Sequence, residues 1–405
     1  MRDALVIKES LKHTLSSLGI EADVASMVLE FPADMSNGDY ATNVALVYAK
    51  QSGKSPRDLA AAIVGAMGTI APVARIEIAG PGFINFTLSP QALAASLDEA
   101  RTQDEWGNND LQKGKKIIVE YTDPNPFKEF HIGHLMSNAI GESISRLLQF
   151  SGADVKRACY QGDVGLHVAK AIWGMEQDIE NVQTLTIPGV SISPSEAAKR
   201  LGMWYATGSR EYENKESVRK TIVQINKDIF QNNRQGNPNA FFHYDIGRKL
   251  SLEHFEELYK ILGTKFDEGF YFFESNTGPF GKQIVAEHPD VFEKSDGAIV
   301  YKGDEAKGLH TRVFINSEGL PTYEAKELGL AKTKYDTYPY DTSVVITGNE
   351  VNDYFRVLLD AMAKVFPELA AKTVHISHGM MRFAEGKMSS RTGNVITGES
   401  LINDL

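Results

Sequence analysis

The run that most limits what this chain can fold into lies between residues 116 and 161. "KIIVEYT" is a short apolar strand, "IGHLMSNAIGESISRLLQF" keeps helical periodicity up to a stop at Gly152, and "ADVKRACY" is a second strand. Strand, helix and strand with brief connections make a right-handed crossover, which sets both strands parallel in one sheet. The expected class is α/β, with a Rossmann-type parallel-sheet domain. His131 and His134 then fall where the carboxyl end of a strand feeds a helix N-terminus.

Such a junction is an anion site, because free N–H groups and the helix dipole both favour phosphate. The two imidazoles, three residues apart on one face, add donors for a phosphoryl oxygen. Gly133 between them leaves space for a flat ring such as adenine to approach the backbone. A histidine pair also suits a metal, yet the usual companions, H-E-x-x-H or a cysteine pair, do not accompany it. The phosphate reading has a second segment, "GKMSSRTGN" at 386–394. This glycine-bounded, hydroxyl-rich loop carries Lys387 and Arg391 and suits a cover over a polyphosphate.

Residues 1–105 read as a small α+β module. Leu11, Leu15 and Leu18 continue a helical stripe, while Ser55-Pro56 and Ser89-Pro90 are N-caps with proline in the first turn. "ARIEIAG" and "GFINFTL" alternate as strands around the turn Gly80-Pro81-Gly82. The polar stretch "DEWGNNDLQKGKK" marks a boundary, after which the parallel-sheet domain spans 112–397 with a mainly helical insertion at about 175–262. Strand-like runs resume at "KFDEGFYFFES", "GAIVYKG", "HTRVFIN", "SVVITG" and "VHISHGMMRF". The final residues, 398–405, read as the start of a further helical element.

Composition narrows the function. With 405 residues, 42% apolar and 23% charged, the chain can bury a substantial core in two or more domains. A net charge of −11 argues against bulk nucleic-acid binding and leaves room for a local basic patch. The single cysteine, Cys159, excludes an internal disulfide and a cysteine-built zinc site, and its strand context predicts an inert core thiol. No run approaches the roughly 18 to 20 apolar residues of a membrane span, and "MRDALVIKESLKHTLSSLG" alternates charges with leucines, unlike a signal peptide. A cytoplasmic protein without membrane contact is expected.

Taken with "HIGH" and "GKMSSRTGN", the segments "VEYTDPNPFKEFHIGHLMSNAIGE", "YQGDVGLHVAKAIWG" and "GLHTRVFINSEGLPTYEAKELGLA" resemble the arginyl-tRNA synthetases of class I, in the family order. "EFPADMSNGDYATNVA" resembles that family's N-terminal domain, which contacts the tRNA elbow, so the likeness covers essentially the whole chain. It implies arginine-tRNA ligase activity: ATP and L-arginine form arginyl-adenylate, and the arginyl group passes to the 3′-terminal adenosine of tRNA(Arg). It implies ATP with Mg²⁺, no zinc and no protein-held metal, a monomer, and a C-terminal anticodon-binding bundle of which 398–405 would be the start.

By motif position the resemblance places His131, His134 and Gly133 at ATP, with Lys387 steadying pyrophosphate and Met388, Ser389 and Ser390 in the nucleotide loop. Ser390 stands where the generic "KMSKS" loop has its second lysine, and Lys128 matches the family's compensating lysine. Glu120, Asn125, Tyr323, Glu327 and Asn349 fall at arginine-contacting positions, although the family more often has aspartate at position 327. Glu350 falls where an acid accepts from ribose hydroxyls, and His378-Gly379-Met380 near adenine. The competing readings are an H-x-G-H nucleotidylyltransferase, which explains neither the N-terminal module nor "LPTYEAKEL", and an inactive or tRNA-binding fragment of a synthetase.

Overall fold

A computed structural model describes residues 2–185, 192–379 and 397–404. The chain divides into two compact units, Met1–Asn108 and Asn109–Leu405. In the first, α1 (Arg2–Ser17) precedes β1 (Tyr40–Thr42), α2 (Val44–Ser52), α3 (Pro56–Ala66), β2 (Val73–Ala79), β3 (Phe83–Leu88) and α4 (Pro90–Thr102). The strands form an antiparallel sheet in the order β1-β3-β2. Ser55 and Ser89 cap α3 and α4 as expected, each hydroxyl accepting the N–H three residues on, with proline at the helix start. Leu11 and Leu15 of α1 are fully buried with Ile63 and Phe86, so one face of the sheet and one stripe of each helix share a core.

The second unit runs β4 (Lys116–Glu120), α5 (Ile132–Phe150), β5 (Asp154–Gln161), α6 (Leu166–Glu176), α7 (Ile179–Thr184), α8 (Pro194–Asn214), α9 (Glu216–Phe230) and α10 (Pro238–Leu262). It continues with β6 (Tyr271–Phe273), α11 (Glu274–Glu287), β7 (Glu293–Ser295), β8 (Ala298–Tyr301), β9 (Arg312–Ile315) and α12 (Tyr323–Thr337). β10 (Thr342–Gly348), α13 (Asn352–Val365), α14 (Pro367–Lys372), β11 (Thr373–His378) and α15 (Gly398–Asp404) complete it. Five strands build one parallel sheet in the order β11-β10-β4-β5-β6.

The middle of β4, Ile117 to Val119, is apolar because both its faces are covered. Ile117 and Val119 pack with Phe255 and Tyr259 of α10, while Ile118 packs on the other side with Leu330 of α12. Strand order reverses between β4 and β10, which opens a crevice beyond their carboxyl ends, the usual ligand position in open α/β sheets. Cys159 is buried in β5 and its thiol is pushed well up by that burial, as befits a core group.

Two parts of the sequence reading are revised. "KFDEGFYFFES" supplies only the three-residue β6, because Gly269 turns the chain at φ +82° and α11 starts at Glu274. "GAIVYKG" and "HTRVFIN" do not join the parallel sheet. They pair with β7 in a separate antiparallel sheet, β7-β8-β9. The helical body begins early, since α6 shares one core with α8, α9 and α10. Among the described residues no helix is long and apolar enough to cross a membrane.

Candidate active site

The β4–α5 connection is a held loop. Thr122, Asp123 and Phe127 all adopt positive φ (76°, 44° and 66°), a conformation costly for side-chain-bearing residues. Side chains from distant elements keep it there. The Thr122 hydroxyl accepts the Asn138 amide, Asp123 Oδ1 accepts the Tyr160 N–H at 2.7 Å, and the Phe127 N–H donates to Ser251 Oγ of α10 at 2.9 Å.

The loop ends in an unusual helix cap. His131 is the N-cap of α5, and its Nδ1 accepts the Gly133 N–H at 3.1 Å, while His134 Nδ1 accepts the His131 N–H at 3.3 Å. This is the reciprocal geometry of a capping box, with imidazoles in both roles. The rings stack 3.6 Å apart. Burial, helped by the Lys128 charge, brings His131 down to about 4; burial first, then His131 and Lys128, hold His134 well below the ordinary histidine range. Both rings are therefore neutral at pH 7, and since each Nδ1 accepts, each proton resides on Nε2. Two uncharged N–H donors thus stand at a helix N-terminus.

Gly133 is close-packed by the cap itself. A Cβ there would sit 2.9 Å from His131 Cε1, so the ring that needs the missing side chain is His131's own. Neighbouring elements close on the same turn. Ser137 Oγ lies 2.8 Å from His378 Nε2 at the end of β11, and the Gly398 N–H donates to the Phe130 carbonyl at 2.6 Å. Met380, Lys387, Met388, Ser389, Ser390 and Arg391 lie outside the described residues.

Beside this turn, at the carboxyl ends of β4 and β10, lies a cavity of about 450 Å³. Among the described residues its walls carry six carboxylates, Glu120, Asp123, Glu274, Glu324, Glu327 and Glu350, against one guanidinium, Arg312. Glu120 is 1% exposed and accepts from the Lys334 ammonium at 2.6 Å. Glu274 pairs with Lys326 at 2.5 Å, and Arg312 stands 3.8 Å from Glu324. Burial, then the Glu120 charge, pushes Glu327 up to about 8, and the same two causes raise Asp123 well above the usual carboxylate range. The cavity holds more carboxyls than its own cations neutralise, a chemistry that suits a cationic group.

Of the residues read from sequence, Glu120, Asn125, Tyr323, Glu327 and Glu350 all line this cavity. Tyr323 stands at the rim, 60% exposed, with Glu327 one helical turn further along α12. Asn349 is exposed and is not among the lining residues, because the turn after β10 presents Glu350 instead. Glu350 therefore lies with the acidic group. Lys128 borders a second cavity, its ammonium 5.0 Å from the Tyr205 ring centre. Sequence reasoning missed Asp123, Glu274 and Lys334. Asp123 had a signal in "YTDPNPF", an acid directly after a strand; the other two are ordinary helix residues until the fold buries them.

Comparison with known proteins gives the family. The family model described as tRNA synthetases class I (R), catalytic domain, matches residues 96–404, and that for the arginyl tRNA synthetase N-terminal domain matches residues 5–88. The arginine–tRNA ligase of Treponema pallidum subsp. pallidum is 28% identical over 394 residues, covering 94% of this chain and 64% of that protein. The arginine–tRNA ligase of Clostridium perfringens (strain 13 / Type A) is 27% identical over 394 residues, covering 95% and 66%. This chain thus spans just under two thirds of the length of these relatives. The Thermus thermophilus arginyl-tRNA synthetase structure shares the fold, with a TM-score of 0.68 at 18% identity over 98% of this chain and 68% of that one. With the catalytic-domain model matched across well over half of its residues, the chain belongs to the class I tRNA synthetases of the arginyl family.

Proposed function

We propose that the protein activates L-arginine with ATP and transfers the arginyl group to the 3′-terminal adenosine of tRNA(Arg), releasing pyrophosphate and AMP. The observation that carries the reading is one juxtaposition: a carboxylate-walled cavity beside a helix N-terminus that bears two neutral imidazole donors. A guanidinium, with five donors in a planar fork, finds acceptors in Glu120, Glu327 and Asn125. Phosphates are assigned to the α5 terminus, where the helix dipole and the two imidazole Nε2–H groups favour an anion.

In the first step an oxygen of the arginine carboxylate bonds to the α-phosphorus as the bond to pyrophosphate breaks. Charge spreads over phosphoryl oxygens, and the Nε2–H groups of His131 and His134 donate to it. Lys128 and Lys387 are assigned to the departing pyrophosphate, and Glu350 and Asn349 are kept as contacts to the ribose and to the amino acid. In the second step a hydroxyl of the terminal adenosine attacks the arginyl carbonyl, loses its proton, and AMP leaves. Mg²⁺ is assigned to the MgATP substrate, bridging its phosphate oxygens.

The test is arginine-dependent, tRNA-stimulated ATP–pyrophosphate exchange, with lysine and glutamate as controls. Exchange is expected with arginine alone and should fall by about 100-fold or more in His134→Ala, the usual scale for losing a charge-stabilising donor. Absence of arginine and ATP binding by calorimetry would overturn the proposal.

Arginine affinity should also depend on pH. Glu327 ionises only near pH 8 in the free protein, so at pH 6 to 7 a guanidinium must displace its proton. Affinity is expected to rise with pH, by up to about tenfold per unit, and to level off above 8. Titration in buffers of different ionisation enthalpy should show proton release on binding. An affinity that stays flat from pH 6 to 9 would contradict the assignment. The sign for stability is opposite. A carboxyl raised on folding stabilises the free protein at low pH and loses that contribution as pH climbs through 8, so the melting temperature without arginine should drop over that range.

A further inference from the structure

The histidine cap of α5 is also held from outside its own helix. Thr397 pairs with His131 as an isolated antiparallel bridge, and the Gly398 N–H reaches the Phe130 carbonyl. The approach is so close that a Cβ on Gly398 would meet Phe130 Cδ1 at 2.7 Å. Thr397 caps α15 as well, its hydroxyl accepting the Ser400 N–H at 3.0 Å. Where the first turn of α15 sits therefore decides where the backbone at Phe130 and His131 is held.

One side chain ties that turn to the helical body. Glu399 Oε1 accepts from Ser195 Oγ of α8 at 2.6 Å, and its Oε2 stands 3.8 Å from His254 Nε2 of α10. The second distance is too long for a hydrogen bond and short enough for electrostatic attraction. His254 is 3% exposed, and its Nδ1 has no hydrogen-bond partner among the described residues. Burial holds the ring below the ordinary histidine range, with Glu399 and Glu257 opposing and Lys199 assisting, so it is neutral at pH 7. Its one proton belongs on Nε2, the nitrogen that faces the carboxylate.

The same helix grips the other flank of the cap. Ser195, Lys199 and Gly202 recur at i, i+4 and i+7, one face of α8. Gly202 lies against Glu129, just before the cap, since a Cβ there would be 3.0 Å from Glu129 Cγ. Lys199 acts on both flanks, opposing the burial that raises Glu129 and helping to keep His254 uncharged. We infer that Glu399 is a positioning residue for the His131–His134 pair: with Ser195 and His254 it seats the chain against the cap, which keeps both imidazoles aimed at one place. A group misplaced by about 1 Å can cost about 100-fold in rate, so a looser seat has a kinetic effect. The inference rests on the proposed function for what the imidazoles meet.

Glu399→Ala, Ser195→Ala and Glu399→Gln in the full chain test it by two readouts. Hydrogen exchange reports the seat: the amides of His131, Gly133 and Gly398 should exchange about tenfold faster in the two alanine variants. They should stay near the wild-type rate in Glu399→Gln, whose amide oxygen still accepts from Ser195. ATP–pyrophosphate exchange reports the chemistry: kcat should fall about tenfold in Glu399→Ala, with arginine affinity by calorimetry unchanged, and return in Glu399→Gln. Cap amides that do not move, a kcat within about twofold of wild type, or a loss of arginine affinity equal to that of kcat would each overturn the inference. Faster cap exchange that glutamine restores, in a protein whose wild type shows no arginine-dependent pyrophosphate exchange, would overturn the proposed function and leave the seat standing.

Discussion

Glu120→Gln is expected to lower arginine affinity by at least about 100-fold, near 2.7 kcal/mol, measured by calorimetric titration. The position is unforgiving because Glu120 ends the central strand β4, is almost fully buried, and has the Lys334 ammonium on one oxygen. A charge-assisted hydrogen bond contributes about 1.5 to 3 kcal/mol, and a guanidinium has more than one to lose here. The substitution also strands Lys334, 3% exposed, as a buried cation with a neutral neighbour. Breaking such a pair from one side costs about 3 to 5 kcal/mol of stability. Stability and recognition can be separated by adding Lys334→Met. The double variant should recover much of the melting temperature, because both charges are gone, and none of the arginine affinity. Arginine binding within about threefold of wild type in Glu120→Gln would remove this carboxylate from the site.

Gly281→Ala should destabilise the second unit by about 3 kcal/mol or more, an effect of one methyl group. Helices α11 and α12 touch backbone to backbone there: a Cβ on Gly281 would lie 1.8 Å from the Ala325 carbonyl oxygen and 2.5 Å from its carbon. Flexible side chains yield to overpacking, but a helical carbonyl moves only with its helix, so the cost reaches or exceeds the upper end of the usual 1 to 3 kcal/mol. α12 carries Tyr323, Glu327 and Lys334, so a displaced helix should also weaken arginine binding. Gly65→Ala provides the contrast. It sits inside α3 with nothing within 4 Å of the added atom, and should gain about 0.5 to 1 kcal/mol from helix propensity. Calorimetric unfolding of both variants tests the pair, and equal melting temperatures would contradict the contact geometry.

Much of this architecture could be read from residues alone because the signals are local. Serine before proline announced α3 and α4, Gly80-Pro81-Gly82 the β2–β3 hairpin, and two apolar strands around a periodic helix the parallel β4–α5–β5 unit. The missed parts depend on partners far along the chain. Lys334 is 214 residues from Glu120 and reads as a solvated helix lysine until the sheet and α12 enclose both. Glu274 likewise becomes a cavity wall only when Lys326 meets it across 52 residues. "GAIVYKG" and "HTRVFIN" were legible as strands, but their sheet was not, since alternation fixes a strand's faces and not its neighbours. Asn349 and Glu350 show the finest limit. A polar turn was evident, and which of its two side chains enters the cavity depends on backbone direction after β10.

The double-histidine cap of α5 bears on how experiments at this motif are read. Caps are ordinarily small oxygen side chains that can be exchanged at modest cost, whereas here the groups that fasten the helix are also those that the proposed function assigns to the phosphates. An alanine at either position confounds two losses, an unravelled first turn and a vanished donor. Glutamine, the common partner in a capping box, can accept the His131 N–H at position 134 and still offer an amide hydrogen. Comparing the two exchanges would divide the histidine's worth into a share for holding the backbone and a share for chemistry.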